Sequence, residues 1–246
     1  MTVIGARTSM GKTAFTMQVM MDLVSIGAPV IYLGFEMKPE EMMERMFCNR
    51  YRVNNLELMR GGVGNYEKEY EDFSTWSKGI KLVFTDDFAK DWKELDAFLK
   101  DLPTRPKVVV IDFIQAIAHE SEHDKRFIDD YIRNFRIMAM RNDFAGVIVS
   151  QINRTNPDAK NKEPQLHQLK GSGFLEEHAD MVLLLDWKDK TKPEFVINVA
   201  KNRSGPTGWI KTHYIPEHYR FEEIPSQPVP GTVVKIPKET RVDWNN

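Results

Sequence analysis

The sequence predicts an α/β fold: a mostly parallel central sheet flanked by helices, with an antiparallel hairpin toward the C-terminal end. Three observations carry this. Short β-branched runs alternate with longer helical patterns, the mark of strands joined by crossover helices. The runs are continuously apolar, as in strands buried on both faces. Helical patterns stop after about residue 190, and two strand-like runs then flank a Gly/Pro turn.

The first run, Val3-Ile4, leads into a helical pattern near 11–26, and Val30-Ile31-Tyr32-Leu33 leads into one near 39–51. A third helix candidate lies near 66–78, then the run Lys81-Leu82-Val83-Phe84 and a helix near 91–101. Val108-Val109-Val110-Ile111, a helix near 126–142, Val147-Ile148-Val149 and Met181-Val182-Leu183-Leu184-Leu185 complete the alternation. Phe195-Val196-Ile197-Asn198-Val199-Ala200 and Trp209-Ile210-Lys211-Thr212-His213-Tyr214, turned by Ser204-Gly205-Pro206-Thr207-Gly208, read as a hairpin closing the sheet edge. Residues 1–222 are expected to form one domain. Prolines 225, 228, 230 and 237 mark 223–246 as an extended or disordered tail.

The chain is 246 residues long, room for one large α/β domain and a tail or at most two small domains. A net charge of −2 provides no global basic field, so any nucleic-acid contact must come from a local patch. The one cysteine, Cys48, excludes an internal disulfide framework and reads as a buried, inert thiol in the apolar run 42–48. No stretch approaches 18 uninterrupted apolar residues, and no basic segment or cleavage site opens the chain, so a soluble intracellular protein is expected, with no membrane partner.

Gly5-Ala6-Arg7-Thr8-Ser9-Met10-Gly11-Lys12-Thr13 follows a strand and opens a helix, the context that a Walker A phosphate loop requires. Small residues let backbone N–H groups curl around phosphate oxygens, and the next helix points its positive end at them. Lys12 would reach the β- and γ-phosphates of ATP, and the Thr13 hydroxyl would help to hold Mg²⁺. One departure is visible: the first glycine of G-x-x-x-x-G-K-[ST] falls on Ala6, with Gly5 one place early. The alternative is a plain Gly/Ser turn before a helix.

Other parts of a hydrolytic site sit at strand ends. Val108-Val109-Val110-Ile111-Asp112 ends in a carboxylate suited to supporting the metal, or else to capping a turn. Glu36, after Leu33-Gly34-Phe35, is placed to polarise a water, or to cap the helix starting near Pro39. Ser150-Gln151 ends a further strand with an amide that senses a γ-phosphate or has no role.

Taken in order, these motifs resemble the C-terminal, RecA-like P-loop ATPase domain of the DnaB-type replicative DNA helicases, over about residues 2–222. The loop Ala6 to Thr13 is similar to that family's form. Phe35-Glu36-Met37 with Met42-Met43-Glu44-Arg45-Met46 resembles its second motif, with Glu36 at the catalytic glutamate. Leu58-Met59-Arg60-Gly61-Gly62 and Asp86-Asp87 match smaller landmarks, and Ile111-Asp112-Phe113-Ile114-Gln115 resembles its Walker B run. Ser150-Gln151-Ile152-Asn153-Arg154 and Lys201-Asn202-Arg203-Ser204-Gly205-Pro206-Thr207-Gly208 match two later motifs. The stretch from Leu169 to Asp180 resembles its DNA-binding loop and the helix that follows.

The resemblance implies Mg²⁺-ATP hydrolysis at the interfaces of a ring hexamer, translocation 5′ to 3′ on single-stranded DNA during replication, and primase or a helicase loader as further partners, in the cytoplasm of a bacterial or phage-infected cell. Lys201 and Arg203, two apart on a strand, face one side, and such cations suit a neighbouring subunit's γ-phosphate or a solvated strand face. Arg154, Lys170, Gly171 and Gly173 would grip the DNA backbone rather than stack on bases; by resemblance Lys170 stands at the family's arginine, and Gly171 replaces a glutamate. A mobile surface loop is the other reading of that segment. A RecA- or RadA-like ATPase that forms filaments or remodels DNA is the closer rival function. A truncated accessory ATPase is the third, because the family's N-terminal collar domain and linker helix are not seen. His119-Glu120-Ser121-Glu122-His123 satisfies the zinc-protease pattern H-E-x-x-H, but it falls in a charged connector without a third ligand and is read as a coincidence.

Overall fold

The computed structural model describes residues 1–61, 66–77, 88–117, 124–152, 163–169 and 172–224. In chain order it runs β1 (Thr2–Ala6), α1 (Lys12–Ser25), β2 (Val30–Gly34), α2 (Pro39–Tyr51), α3 (Asn55–Met59), α4 (Glu67–Ser77), α5 (Trp92–Asp101), β3 (Val108–Asp112) and α6 (Asp124–Asn142). It continues with β4 (Ala145–Gln151), α7 (Ser172–His178), β5 (Met181–Asp186), β6 (Glu194–Asn202), β7 (Gly208–Ile215) and β8 (Arg220–Glu223). The sheet order is β2-β3-β4-β1-β5-β6-β7-β8, parallel from β2 through β5 and antiparallel from β5 to β8.

Strand parity explains the two layers. In β2 and β3, Ile31, Leu33, Val109 and Ile111 pack into a core with Leu95, Tyr131 and Phe135 of α5 and α6. Their alternates Val30, Tyr32, Val108 and Val110 pack on the other face with Met17, Met20, Met42 and Phe47 of α1 and α2. Alternation at a period of two, buried on both sides, is what continuous apolar runs require. A third cluster, with Ala14, Phe195, Tyr214 and Phe221, seats the antiparallel strands against α1.

The predicted α/β fold is therefore the observed one, with one correction. The hairpin β6–β7 does not close the sheet: β8 pairs outside β7 and forms the edge. Its one apolar residue, Phe221, is buried, and the chain reaches it through Tyr219 at φ 50°. A four-residue strand with a single apolar side chain gives no periodicity to detect. The expected strand at 81–84 and the tail from 225 lie outside the described residues. Cys48 is buried, and burial pushes its thiol up to about 11, so it is a structural side chain. Among the described residues no helix is long and apolar enough to cross a membrane.

Gly5 lies within β1 rather than in the loop. A Cβ there would come within 2.6 Å of Leu169 Cδ2 and 2.9 Å of Leu184 Cδ2, both side chains being buried. Its glycine is thus a packing requirement. Gly5→Ala should cost about 1–3 kcal/mol of stability, read as a lower urea midpoint at unchanged slope.

Candidate nucleotide site

The parallel strands end side by side. Ala6 of β1 pairs with Gln151 of β4, and Gly34 of β2 pairs with Asp112 of β3, so loops from four strands open at one carboxyl edge. This is where open α/β sheets bind ligands. The loop 7–11 turns through Ser9 at φ 59° and Gly11 at φ 72°, and α1 begins at once, with Phe15 N–H donating to the Gly11 carbonyl at 2.8 Å. Only glycine takes the second angle without strain. The first turn of α1 carries no acidic residue, which leaves its positive end for an anion. Lys12 and Thr13 are its first two residues, and the Lys12 ammonium lies 5.6 Å from the Phe113 ring centroid.

Asp112 is buried beside them. Burial pushes its carboxyl up, while hydrogen bonds from Tyr32 and Thr13 and the Lys12 charge oppose that shift. The Tyr32 hydroxyl donates to Asp112 Oδ2 at 2.5 Å. Glu36 is exposed and lines a pocket of about 410 Å³ together with Thr8, Lys12, Thr13, Arg45 and Gln151. The cap of α2 is Lys38 without a side-chain bond, so Glu36 is not spent as a helix cap. Gln151 donates from Nε2 to Thr8 Oγ1 at 2.8 Å, and its backbone N–H donates to Gln115 Oε1 at 3.0 Å. That glutamine in turn donates to Ser150 Oγ at 2.9 Å.

Of the remaining loop residues, Ala6 is buried and Met10 packs at the edge of the third core cluster. Arg7 faces Asp186, whose carboxyl burial pushes up against the pull of Arg7 and Lys188. Lys201 and Arg203 are not at this site. Val182 pairs with Lys201 and Met181 with Asn202, at the level of Val3 and Thr2 rather than Ala6. Three or more residues of strand put both cations about 10 Å or farther away along the sheet. Gly173 is exposed in the first turn of α7, while Arg154, Lys170, Gly171 and the H-E-x-x-H stretch lie outside the described residues.

Several residues in or beside the site belong to no motif of the sequence. Tyr32 was legible by parity, two residues before the Gly34 that pairs with Asp112. Trp187, Tyr214 and Tyr219 were not, because they arrive from the antiparallel end of the sheet. Lys190, between β5 and β6, donates to the Ser9 carbonyl at 3.0 Å and also had no local signal.

The Thr13 hydroxyl and the Asp112 carboxylate are adjacent hard oxygens at the head of the phosphate loop. Among the described residues no three His, Cys, Asp or Glu side chains form a metal cluster. Two protein oxygens, with phosphate and water completing the shell, fit magnesium better than a cation needing an all-protein cage.

Residues 1–223 match the sequence profile described as the DnaB-like helicase C terminal domain. The chain belongs to that family. A probable plasmid replicative DNA helicase of Chlamydia psittaci is 31% identical over 214 residues, covering 82% of this chain and 47% of that protein. The replicative DNA helicase DnaB of Geobacillus stearothermophilus is 24% identical, covering 90% of this chain and 52% of that protein. This DnaB-like chain thus spans about half the length of the curated relatives it matches. The fold agrees. A solved structure described as an ATPase domain superposes with a TM-score of 0.76 at 23% identity, covering 91% of this chain and 84% of that one. A DnaB-like replicative helicase whose structure was described with its primase interactions superposes equally well, covering 57% of that chain.

Proposed function

We propose that this DnaB-like domain is an ATP-hydrolysing motor that acts on single-stranded DNA as an oligomer, most simply the family's ring hexamer, in bacterial or phage replication. The observation that carries the reading is the meeting of Lys12 and Thr13 at the head of α1 with buried Asp112 and exposed Glu36 on neighbouring strand ends. Backbone N–H groups of the loop 7–11 and the positive end of α1 hold the phosphates. Lys12 neutralises the charge that builds on the transferred phosphoryl oxygens. Thr13 and Asp112 would hold a magnesium ion, which would supply further charge neutralisation and phosphate alignment. Glu36, free of a capping role, accepts the proton of the attacking water. Gln151 reaches the loop through Thr8 and begins the segment containing Arg154, so it couples nucleotide state to DNA contact. Arg154, Lys170, Gly171 and Gly173 hold the DNA backbone. Lys201 and Arg203 complete a neighbour's site. Primase or a loader would dock on the assembled ring, in the cytoplasm.

The test is ATP turnover against protein concentration, with and without single-stranded DNA, alongside mass by light scattering. Specific activity should rise with assembly and with DNA. Activity that is flat in both, or confined to a monomer, contradicts the interface reading.

Tyr32→Phe gives a pH signature. Removing its hydrogen bond takes away one of the groups keeping Asp112 ionised against burial, so the carboxyl rises further. An ionised Asp112 then requires less acidic solution, and the acid limb of turnover moves to higher pH. An unmoved limb would separate Tyr32 from the metal carboxylate.

A further inference from the structure

The two cations assigned to a neighbour's phosphate are held, within their own subunit, by the C-terminal end of α7. The last carbonyls of a helix have no partner inside it and attract cations. Here three long side chains take them. Lys201 Nζ donates to the Glu176 carbonyl at 2.5 Å, Arg203 Nη2 donates to the Glu177 carbonyl at 2.9 Å, and Arg136 of α6 donates to the His178 carbonyl.

Asp180, two residues beyond α7, ties this end together. Its Oδ1 accepts from Arg203 Nη1 at 2.8 Å and lies 3.4 Å from Arg136 Nη2, and its Oδ2 accepts from the Met1 nitrogen at 2.5 Å. The backbone repeats the connection, because Arg203 N–H donates to the Asp180 carbonyl at 2.8 Å. The guanidinium is thus gripped at both nitrogens, one by a carboxylate and one by a helix end. Two contacts on a planar fork fix its direction, which one contact would not.

The arrangement contributes little to stability. Asp180 and Arg203 side chains are 41% and 46% exposed, and such a pair is worth about 0–1 kcal/mol. What it supplies is direction: an exposed arginine on a strand end otherwise samples many rotamers. We propose that Asp180, with the carbonyl end of α7, is the positioning element that aims Arg203 at the adjoining subunit's phosphate. This rests on the trans role given to Arg203 above. Asp180 touches no nucleotide; it acts through the arginine.

The test pairs three variants of the full chain, Lys12→Ala, Arg203→Ala and Asp180→Asn. Asp180→Asn alone should lower kcat for ATP by between about 10- and 100-fold, the scale of a misplaced reacting group, with KM unchanged. Its melting temperature should stay near wild type, and Asp180→Glu, which keeps the carboxylate, should recover turnover. In equimolar mixtures, Lys12→Ala has an intact Arg203 to lend. It should therefore restore turnover to Arg203→Ala and equally to Asp180→Asn. Arg203→Ala mixed with Asp180→Asn should give no more than the two alone.

If Lys12→Ala and Arg203→Ala do not complement, the trans reading fails. If they do, while Asp180→Asn turns over like wild type or is rescued by Arg203→Ala, the positioning role alone fails. A large drop in the melting temperature of Asp180→Asn would make Asp180 a structural residue and overturn it as well.

Discussion

Lys12→Ala is expected to lower ATP turnover by at least about 10²–10³-fold, the scale of losing one preorganised charge partner in a transition state. The residue is the first of α1, half-buried, and its ammonium lies over the Phe113 ring at the edge of the pocket. Nothing in the core depends on that ammonium, so melting temperature should hold while steady-state hydrolysis collapses. Turnover that survives in folded protein would mean that phosphates are held elsewhere.

Arg203→Ala is expected to cost about 10³–10⁵-fold in kcat, the range over which an arginine supplied to a neighbour's phosphoryl group acts. Nucleotide binding should persist, because Arg203 stands at the far end of β5 and β6 from its own phosphate loop. Measuring both quantities on one preparation separates the cases. Lost binding would make Arg203 a residue of its own site, and unchanged turnover would leave it a solvated strand cation.

The parallel half of the fold was legible because its physics is local. Runs such as Val108 to Ile111 are buried on both faces, and the pattern near 39–51 matches α2 at both ends. Asp112, Glu36, Lys12 and Thr13 were legible as strand-end and helix-start residues, and the structure gathers them at one sheet edge. What the sequence concealed arises from pairing across long separations. Phe221 returns to pack on Phe15 with ring centroids 5.3 Å apart, and Tyr219 brings its ring over the Arg45 guanidinium at 4.9 Å. No periodicity in residues 216–223 signals either contact. The early glycine misled in the same way: Gly5 reads as a shifted phosphate-loop residue, yet Leu169 and Leu184 are what exclude a side chain there. Lys201 and Arg203 were read as two cations of one strand face; in the structure both donate to carbonyls at the end of α7, a helix about 25 residues earlier that no pattern around 201–203 signals.

The most direct measurement is a titration of folded wild-type chain with labelled ATP and magnesium. Saturable uptake near one nucleotide per chain, lost on chelation and in Lys12→Ala, is the predicted result. An isotherm that never saturates, or one indifferent to Lys12, would contradict the assignment of the loop between Ala6 and Thr13.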